Sequence, residues 1–238
     1  IASYPTKVGA YSSNHQEDVM AIYRDVCREM GINFSVYYSS LVDCVAANAH
    51  EDWRIVKADG SYYGTGEKWQ GDTMDSFFLC HNTGFIEEYL LPQIREILED
   101  YEPDGLWFDG DVWVPQVCYC ASCQEKYREL HGHDVPRPDD ADAWSAAPKF
   151  VRDTYLEYLQ KVRDLIHEVR PECLFAVNWL HTLQNPWASR DKVDWLSGDV
   201  PLNHGVIAAG REARFMNHQG LPFDIMVCDF SLDYRTRG

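Results

Sequence analysis

Apolar residues recur along this chain in two alternating rhythms. One is a three-to-four spacing that marks helices; the other is short unbroken runs that mark strands buried on both faces. Over residues 15–30, Val19, Ile22, Val26 and Met30 share one helical face, and Gly31 stands where a left-handed cap ends such a helix. A strand is expected at once, over 32–38. A second helix carries Ile86, Leu90, Ile94, Ile97 and Leu98 and ends near Tyr101, with Pro92 predicting a kink or a later start. Residues 105–108 read as a strand that stops at Asp109-Gly110-Asp111. A short helix begins near Cys123, and a long one over 148–169 has Val151, Tyr155, Tyr158, Val162, Leu165 and Ile166 as its apolar face. Strands follow over 173–177, ending at Asn178-Trp179, and over 193–196, ending at Ser197-Gly198-Asp199. A helix over 205–217 leads into a last strand, 223–227, which ends at Cys228-Asp229.

Five apolar strands separated by helices predict a parallel α/β sheet, with polar and aromatic residues gathered past the strand ends, where such sheets place their sites. No Gly-rich phosphate loop speaks for a doubly wound sheet, so the expectation is a (β/α)8 TIM barrel. Five strands leave that barrel incomplete, and residues 1–238 form one catalytic domain without internal repeat or linker. Residues 39–82 read as a long irregular excursion, rich in Asp, Gly, Trp and Tyr, of a kind that is usually functional.

Charge narrows the partners. With 38 acidic against 21 basic residues, the net charge of −17 repels nucleic acid and anionic membrane surfaces. No run approaches the roughly 20 apolar residues of a membrane span. A neutral substrate is compatible, and 8 Trp and 14 Tyr supply flat rings for the apolar face of a sugar. No signal peptide is visible at Ile1, where the first residues read as the middle of a domain; eight cysteines at this size do not read as a disulfide framework, clustered ones more often bind metal, and the expected compartment is the cytoplasm.

Two local patterns carry chemistry. In Asp104-Gly105-Leu106-Trp107-Phe108-Asp109-Gly110 a carboxylate directly follows a buried strand, which is costly unless it is used, paired or hydrated. A helix cap, a buried ion pair and a two-carboxylate cation site at Asp109 and Asp111 are the other readings, the last without any nucleotide-binding feature beside it. The second pattern is Cys118-x-Cys120-x2-Cys123 with Cys80 upstream. Four thiols so spaced fit the closed tetrahedral site of structural zinc, against the plainer reading of free buried thiols. Cys27, Cys44, Cys173 and Cys228 read as core or loop residues.

The run Leu106-Trp107-Phe108-Asp109-Gly110 resembles the nucleophile strand of family 29 α-L-fucosidases. Tyr4-Pro5-Thr6-Lys7-Val8-Gly9, residues 32–39, His50-Glu51-Asp52-Trp53-Arg54, Leu79-Cys80-His81-Asn82 and Cys118-Tyr119-Cys120 are similar to a related group that includes family 151 α-L-fucosidases. In that group the barrel precedes a β-galactosidase-type trimerisation region, so the resemblance implies a homo-oligomer for a longer protein. It also implies that barrel strands one, two and eight lie outside this chain. One Cys well ahead of a C-x-C-x2-C cluster resembles the zinc site of family 42 β-galactosidases.

The resemblance implies a retaining glycosidase acting on an oligosaccharide or simpler glycoside, with Asp109 as nucleophile. Such an enzyme needs a second carboxyl group about 5–5.5 Å away. Asp199, two strands further round, is the first choice; Glu51 and Asp229 are rivals, and a cap on the following helix is its plainer reading. His50, Trp53, Asn178, Trp179 and His181, in loops after strands, are the expected sugar contacts. A galactosidase and a non-catalytic zinc-stapled module are the alternatives.

Overall fold

The computed structural model describes residues 2–12, 14–69, 74–109, 116–180, 182–183, 190–201 and 204–228. Helix α1 (Val19–Met30) begins later than its periodicity suggests because Asp18 caps it, accepting from Ala21 N at 3.0 Å. Gly31 ends it in the expected left-handed conformation, φ 66°. Its predicted face is not its packed face: Met20, Ala21 and Cys27 lean on the core, whereas Ile22, Val26 and Met30 are exposed. Among the described residues nothing covers that stripe.

Strands β1 (Ser35–Ser39), β4 (Gly105–Asp109) and β5 (Leu174–Val177) form a parallel three-stranded sheet in the order β1-β4-β5. A parallel bridge, Asn178 to Ser197, leads from β5 to β6 (Leu196–Pro201), which pairs in parallel with β7 (Phe223–Cys228). One face of the array is dry. Leu106, Phe108, Phe175 and Val177 are buried there, with Phe108 edge-on to Phe175 at 4.9 Å. Fully burying each such side chain contributes about 1.5–3 kcal/mol. The helices α3 (Leu91–Tyr101) and α5 (Ala146–Val169) supply Ile94, Ile97, Tyr155, Leu159 and Val162 to the same core. The other face, by strict alternation, carries Ser35, Tyr37, Ser39, Trp107, Asp109, Ala176 and Asn178.

Two elements depart from the sequence reading and one follows it. The 39–82 excursion is largely structured: Asp43 caps α2 (Cys44–Ala49), Glu51–Trp53 make a 3-10 turn, and β2 (Gly64–Trp69) pairs antiparallel with β3 (Met74–Phe77). Pro92 marks the later start that the sequence allows: it falls in the first turn of α3, which begins at Leu91 after a π-helical turn over Ile86–Leu90, where its missing N–H is not needed. The strand expected over 193–196 lies at Leu196–Pro201 instead. Asp194 forces the shift: its backbone N–H donates to Phe175 O at 2.7 Å, and its carboxylate accepts from Phe175 N–H, Arg163 and His167 at 2.9, 2.8 and 3.0 Å. Asp199 is therefore a strand residue rather than one beyond the strand end. Helices α4 (Ala121–His131) and α6 (Gly205–His218) complete the array. Among the described residues no helix is long and apolar enough to cross a membrane.

Candidate active site

The carboxylate of Asp109 stands at the C-terminal end of β4 and is gripped at both oxygens. Tyr37, on the neighbouring strand β1, donates its hydroxyl to Oδ2 at 2.9 Å; Asn178, just past β5, donates its side-chain amide to Oδ1 at 3.0 Å. The register explains the first contact, since Tyr37 faces Trp107 and Ser39 faces Asp109 across the β1–β4 ladder. Backbone bonds fix the frame: Asn178 N–H donates to Phe108 O at 2.8 Å, and Ser40 N–H donates to Asp109 O at 3.1 Å. Local desolvation where the hydroxyl meets Asp109, and then the Asp109 charge itself, push the Tyr37 hydroxyl well above its ordinary range although the side chain as a whole is exposed, so it stays a phenol able to donate.

The same Asn178 amide nitrogen also donates to Asp199 Oδ2, at 3.3 Å. Two carboxyl groups sharing one donor have their accepting oxygens within roughly 6 Å of each other, two hydrogen-bond lengths. Strand order produces this: β4, β5 and β6 lie side by side, with Asn178 between the two acids. Asp199 is only 9% exposed. Burial raises its carboxyl above the ordinary value; the Asn178 amide opposes the rise and the nearby Asp109 charge adds to it. Asp199 does not cap α6, whose N-cap His204 makes no side-chain capping bond.

The other expected residues divide. Trp179 directly follows Asn178 and is buried beside the Asp199 carboxyl. Trp53 is 5% exposed, with His50 stacked on it at 3.6 Å and Phe85 and Tyr89 against its other sides. Neither His50 nor Trp53 is joined to Asp109 by a hydrogen bond or ring contact among the described residues. Glu51 is exposed and paired to Arg54 at 3.5 Å. His181, Asp111 and Asp229 lie outside the described residues. Tyr37 was not foreseen; its one signal is its place as the last inward-facing aromatic of a predicted strand. A cavity of about 410 Å³ opens beside β1, lined by Tyr37, Tyr38, Ser39, Asp43 and Gln93 among others. It touches the carboxylate site through Tyr37.

Apart from these groups, Cys80, Cys118, Cys120 and Cys123 are all buried, with their sulfurs within 4.8 Å of one another. Cys80 and Cys123 are 3.4 Å apart, and Cys120 and Cys80 are 3.8 Å apart. Tetrahedral zinc–thiolate bonds place sulfurs about 3.8 Å apart, so the cluster can hold such an ion. Backbone donors already point at it: Val56 N–H to Cys118 Sγ at 3.4 Å and Asn82 N–H to Cys80 Sγ at 3.5 Å. The Asn82 amide donates to Cys123 Sγ at 3.4 Å. Such N–H···S bonds are the support that metal-held sulfurs receive. Through them the cluster joins the 55–56 segment, the chain after β3 and the start of α4.

A family model described as Alpha-L-fucosidase matches residues 1–218. No curated protein matches the chain. Among solved structures, α-L-fucosidase isoenzyme 2 from Paenibacillus thiaminolyticus is similar at 19% identity over 95% of this chain and 33% of its own, with a TM-score of 0.72. A β-galactosidase from Bacillus circulans sp. alkalophilus is similar at 14% identity over 93% of this chain and 39% of its own, TM-score 0.64. The polyextremophilic β-galactosidase from the Antarctic haloarchaeon Halorubrum lacusprofundi is similar at 17% identity over 74% of this chain and 31% of its own, TM-score 0.59. The chain thus spans about a third of the length of the solved structures it resembles.

Proposed function

The chain belongs to the α-L-fucosidase family, and on that premise we propose that it is the greater part of a (β/α)8 barrel that hydrolyses terminal α-L-fucosyl bonds with net retention. One observation carries the proposal: a single buried amide, Asn178 Nδ2, touches both Asp109 and Asp199 at a parallel-strand edge. A gap of roughly 5–5.5 Å between carboxyl groups suits a double displacement, and that pairing is compatible with it.

Asp109, held at both oxygens, attacks the anomeric carbon and forms a glycosyl ester. Asp199, whose carboxyl burial raises above its ordinary value, gives its proton to the departing glycosidic oxygen. The resulting Asp199 carboxylate then takes a proton from water, whose oxygen attacks the same carbon and frees Asp109. Asn178 and Trp179, with His181, His50 and Trp53, are the proposed sugar-site residues, Asn178 and Trp179 being those with a contact to the acids. The four buried cysteines are proposed to hold structural zinc, closing the site with four ligands and no open position.

Hydrolysis of aryl α-L-fucosides, followed by NMR of the first-formed anomer, tests the reading. Initial release of the α-anomer supports it. Turnover of aryl galactosides in its place points to the galactosidase alternative, and no turnover of either to a non-catalytic module.

A further inference from the structure

We infer that Asn82 and Lys126 form a relay that strengthens metal binding at the four-thiol site. In it the Lys126 ammonium polarises the Asn82 side-chain amide, and the amide presents its N–H to Cys123 Sγ. The inference rests on Cys80, Cys118, Cys120 and Cys123 holding zinc, and it concerns two residues outside those four ligands.

Among the described residues, most N–H groups aimed at these sulfurs belong to the backbone. Val56 and Cys120 each donate to Cys118 Sγ at 3.4 Å, and Asn82 donates to Cys80 Sγ at 3.5 Å. Cys123 differs, because its donor is the side-chain nitrogen of Asn82, at 3.4 Å. A backbone donor comes with almost any residue; this one comes only with an amide at position 82.

Neighbours fix which way that amide points. The Thr154 hydroxyl is buried and spends its hydrogen on the helix carbonyls of Phe150 and Val151, at 3.0 and 3.2 Å. Towards Asn82 Nδ2, 3.2 Å away, Thr154 Oγ1 can then only accept. Lys126 Nζ, 3.4 Å from Asn82 Oδ1, can only donate. So the nitrogen faces Thr154 and Cys123, and the oxygen faces the ammonium. A flipped amide would set oxygen against oxygen at Thr154 and N–H against the cation. Cys123 therefore meets a donor, which suits a sulfur that accepts, as a metal-held thiolate does.

Charge gives the relay its purpose. A divalent ion bound by four thiolates carries a net double negative charge, and burying that charge is costly unless it is offset. All four cysteines are buried. Lys126, on α4, brings a positive charge beside them and is anchored there by Glu157 of α5 at 2.7 Å. A hydrogen bond accepted at one end of an amide strengthens the bond given at the other, so part of the Lys126 charge is felt at Cys123.

The test is a double-mutant cycle on the protein carrying this chain, read as zinc affinity against a chromophoric chelator. Asn82→Leu keeps most of the volume and removes the donor; zinc should bind about 10–100-fold more weakly, the usual loss when the support of a metal ligand is removed. Lys126→Met keeps the stem and removes the charge. It should weaken zinc binding several-fold with Asn82 in place and clearly less in Asn82→Leu, whereas Lys126→Arg should bind as the unmutated protein does. Packing alone would not couple the two positions. Equal zinc affinity in Asn82→Leu and the unmutated protein, or losses that simply add in the double variant, overturn the relay and leave the zinc reading standing. No zinc bound by the unmutated protein removes both. Should Asn82→Leu fail to fold, the partly exposed Lys126 decides: a loss in Lys126→Met that Lys126→Arg restores upholds the relay, and unchanged affinity in Lys126→Met overturns it.

Discussion

The Tyr37 hydroxyl and the Asp109 carboxylate meet at 2.9 Å although 72 positions separate them in the chain. Only the pairing of β1 with β4 brings them together, and Tyr37 is otherwise 60% exposed on an open face. A hydrogen bond to a charged group is worth about 1.5–3 kcal/mol. Tyr37→Phe should therefore lower kcat/KM by roughly 10–100-fold while the melting temperature stays within a degree or two, as thermal unfolding and steady-state kinetics on one preparation will show. Equal loss of stability and activity would instead make Tyr37 a packing residue.

Removing the carboxylate itself should cost far more. Asp109→Gly is expected to drop turnover by several orders of magnitude with the fold intact. Azide should restore part of it, because a small anion can occupy the vacated space and attack in its place. A β-fucosyl azide product, of inverted configuration, is the signature to look for.

Much of this site is legible from strand ends alone. Asp109, Asn178 and Asp199 fall at or near the ends of apolar runs, and right-handed crossovers set successive parallel strands side by side. The direction in which an aromatic side chain points is not legible that way: Tyr37 turns its hydroxyl to Asp109, whereas Trp53 is 5% exposed with His50 stacked on it. The β2–β3 hairpin escaped notice because Gly-Thr-Gly-Glu-Lys-Trp has neither a continuous apolar run nor clean alternation. The start of β6 moved because Asp194, polar and bonded to three partners, ends one segment before Leu196 begins the next.

The raised carboxyl of Asp199 makes a prediction about pH. A folded-state value above the unfolded one, near 3.9 for Asp, means the folded protein favours the protonated form. The stability this confers is complete below the unfolded value and is lost as pH rises through the folded one. Asp199→Asn, which cannot ionise, should then melt higher than the unmodified protein at pH 7, with the gap closing towards pH 4. In the unmodified enzyme the alkaline limb of kcat/KM should follow the same group and lie above the ordinary carboxyl range. Thermal melts across pH 4–8 check the first part; a gap that widens on acidification contradicts it.

Metal removal should act on stability before chemistry. Elemental analysis of protein purified without added metal is expected to find about one zinc per chain. Chelation should lower the melting temperature by more than it changes turnover, because the cluster ties the 55–56 segment to α4 and takes no part at the carboxylates. Metal-free protein with four titratable thiols at Cys80, Cys118, Cys120 and Cys123 would contradict the zinc assignment.

The central claim, that Asp109 is the nucleophile, is tested most directly by covalent trapping. Fluorine at C2 slows both steps of a retaining reaction by destabilising the oxocarbenium-like transition states, while a fluoride leaving group keeps the first step the faster. With 2-deoxy-2-fluoro-α-L-fucosyl fluoride the protein should gain one fluorofucosyl group, and proteolysis with tandem mass spectrometry should place it on the peptide holding Leu106-Trp107-Phe108-Asp109, at Asp109. A label on Asp199, Glu51 or any other residue would contradict the account.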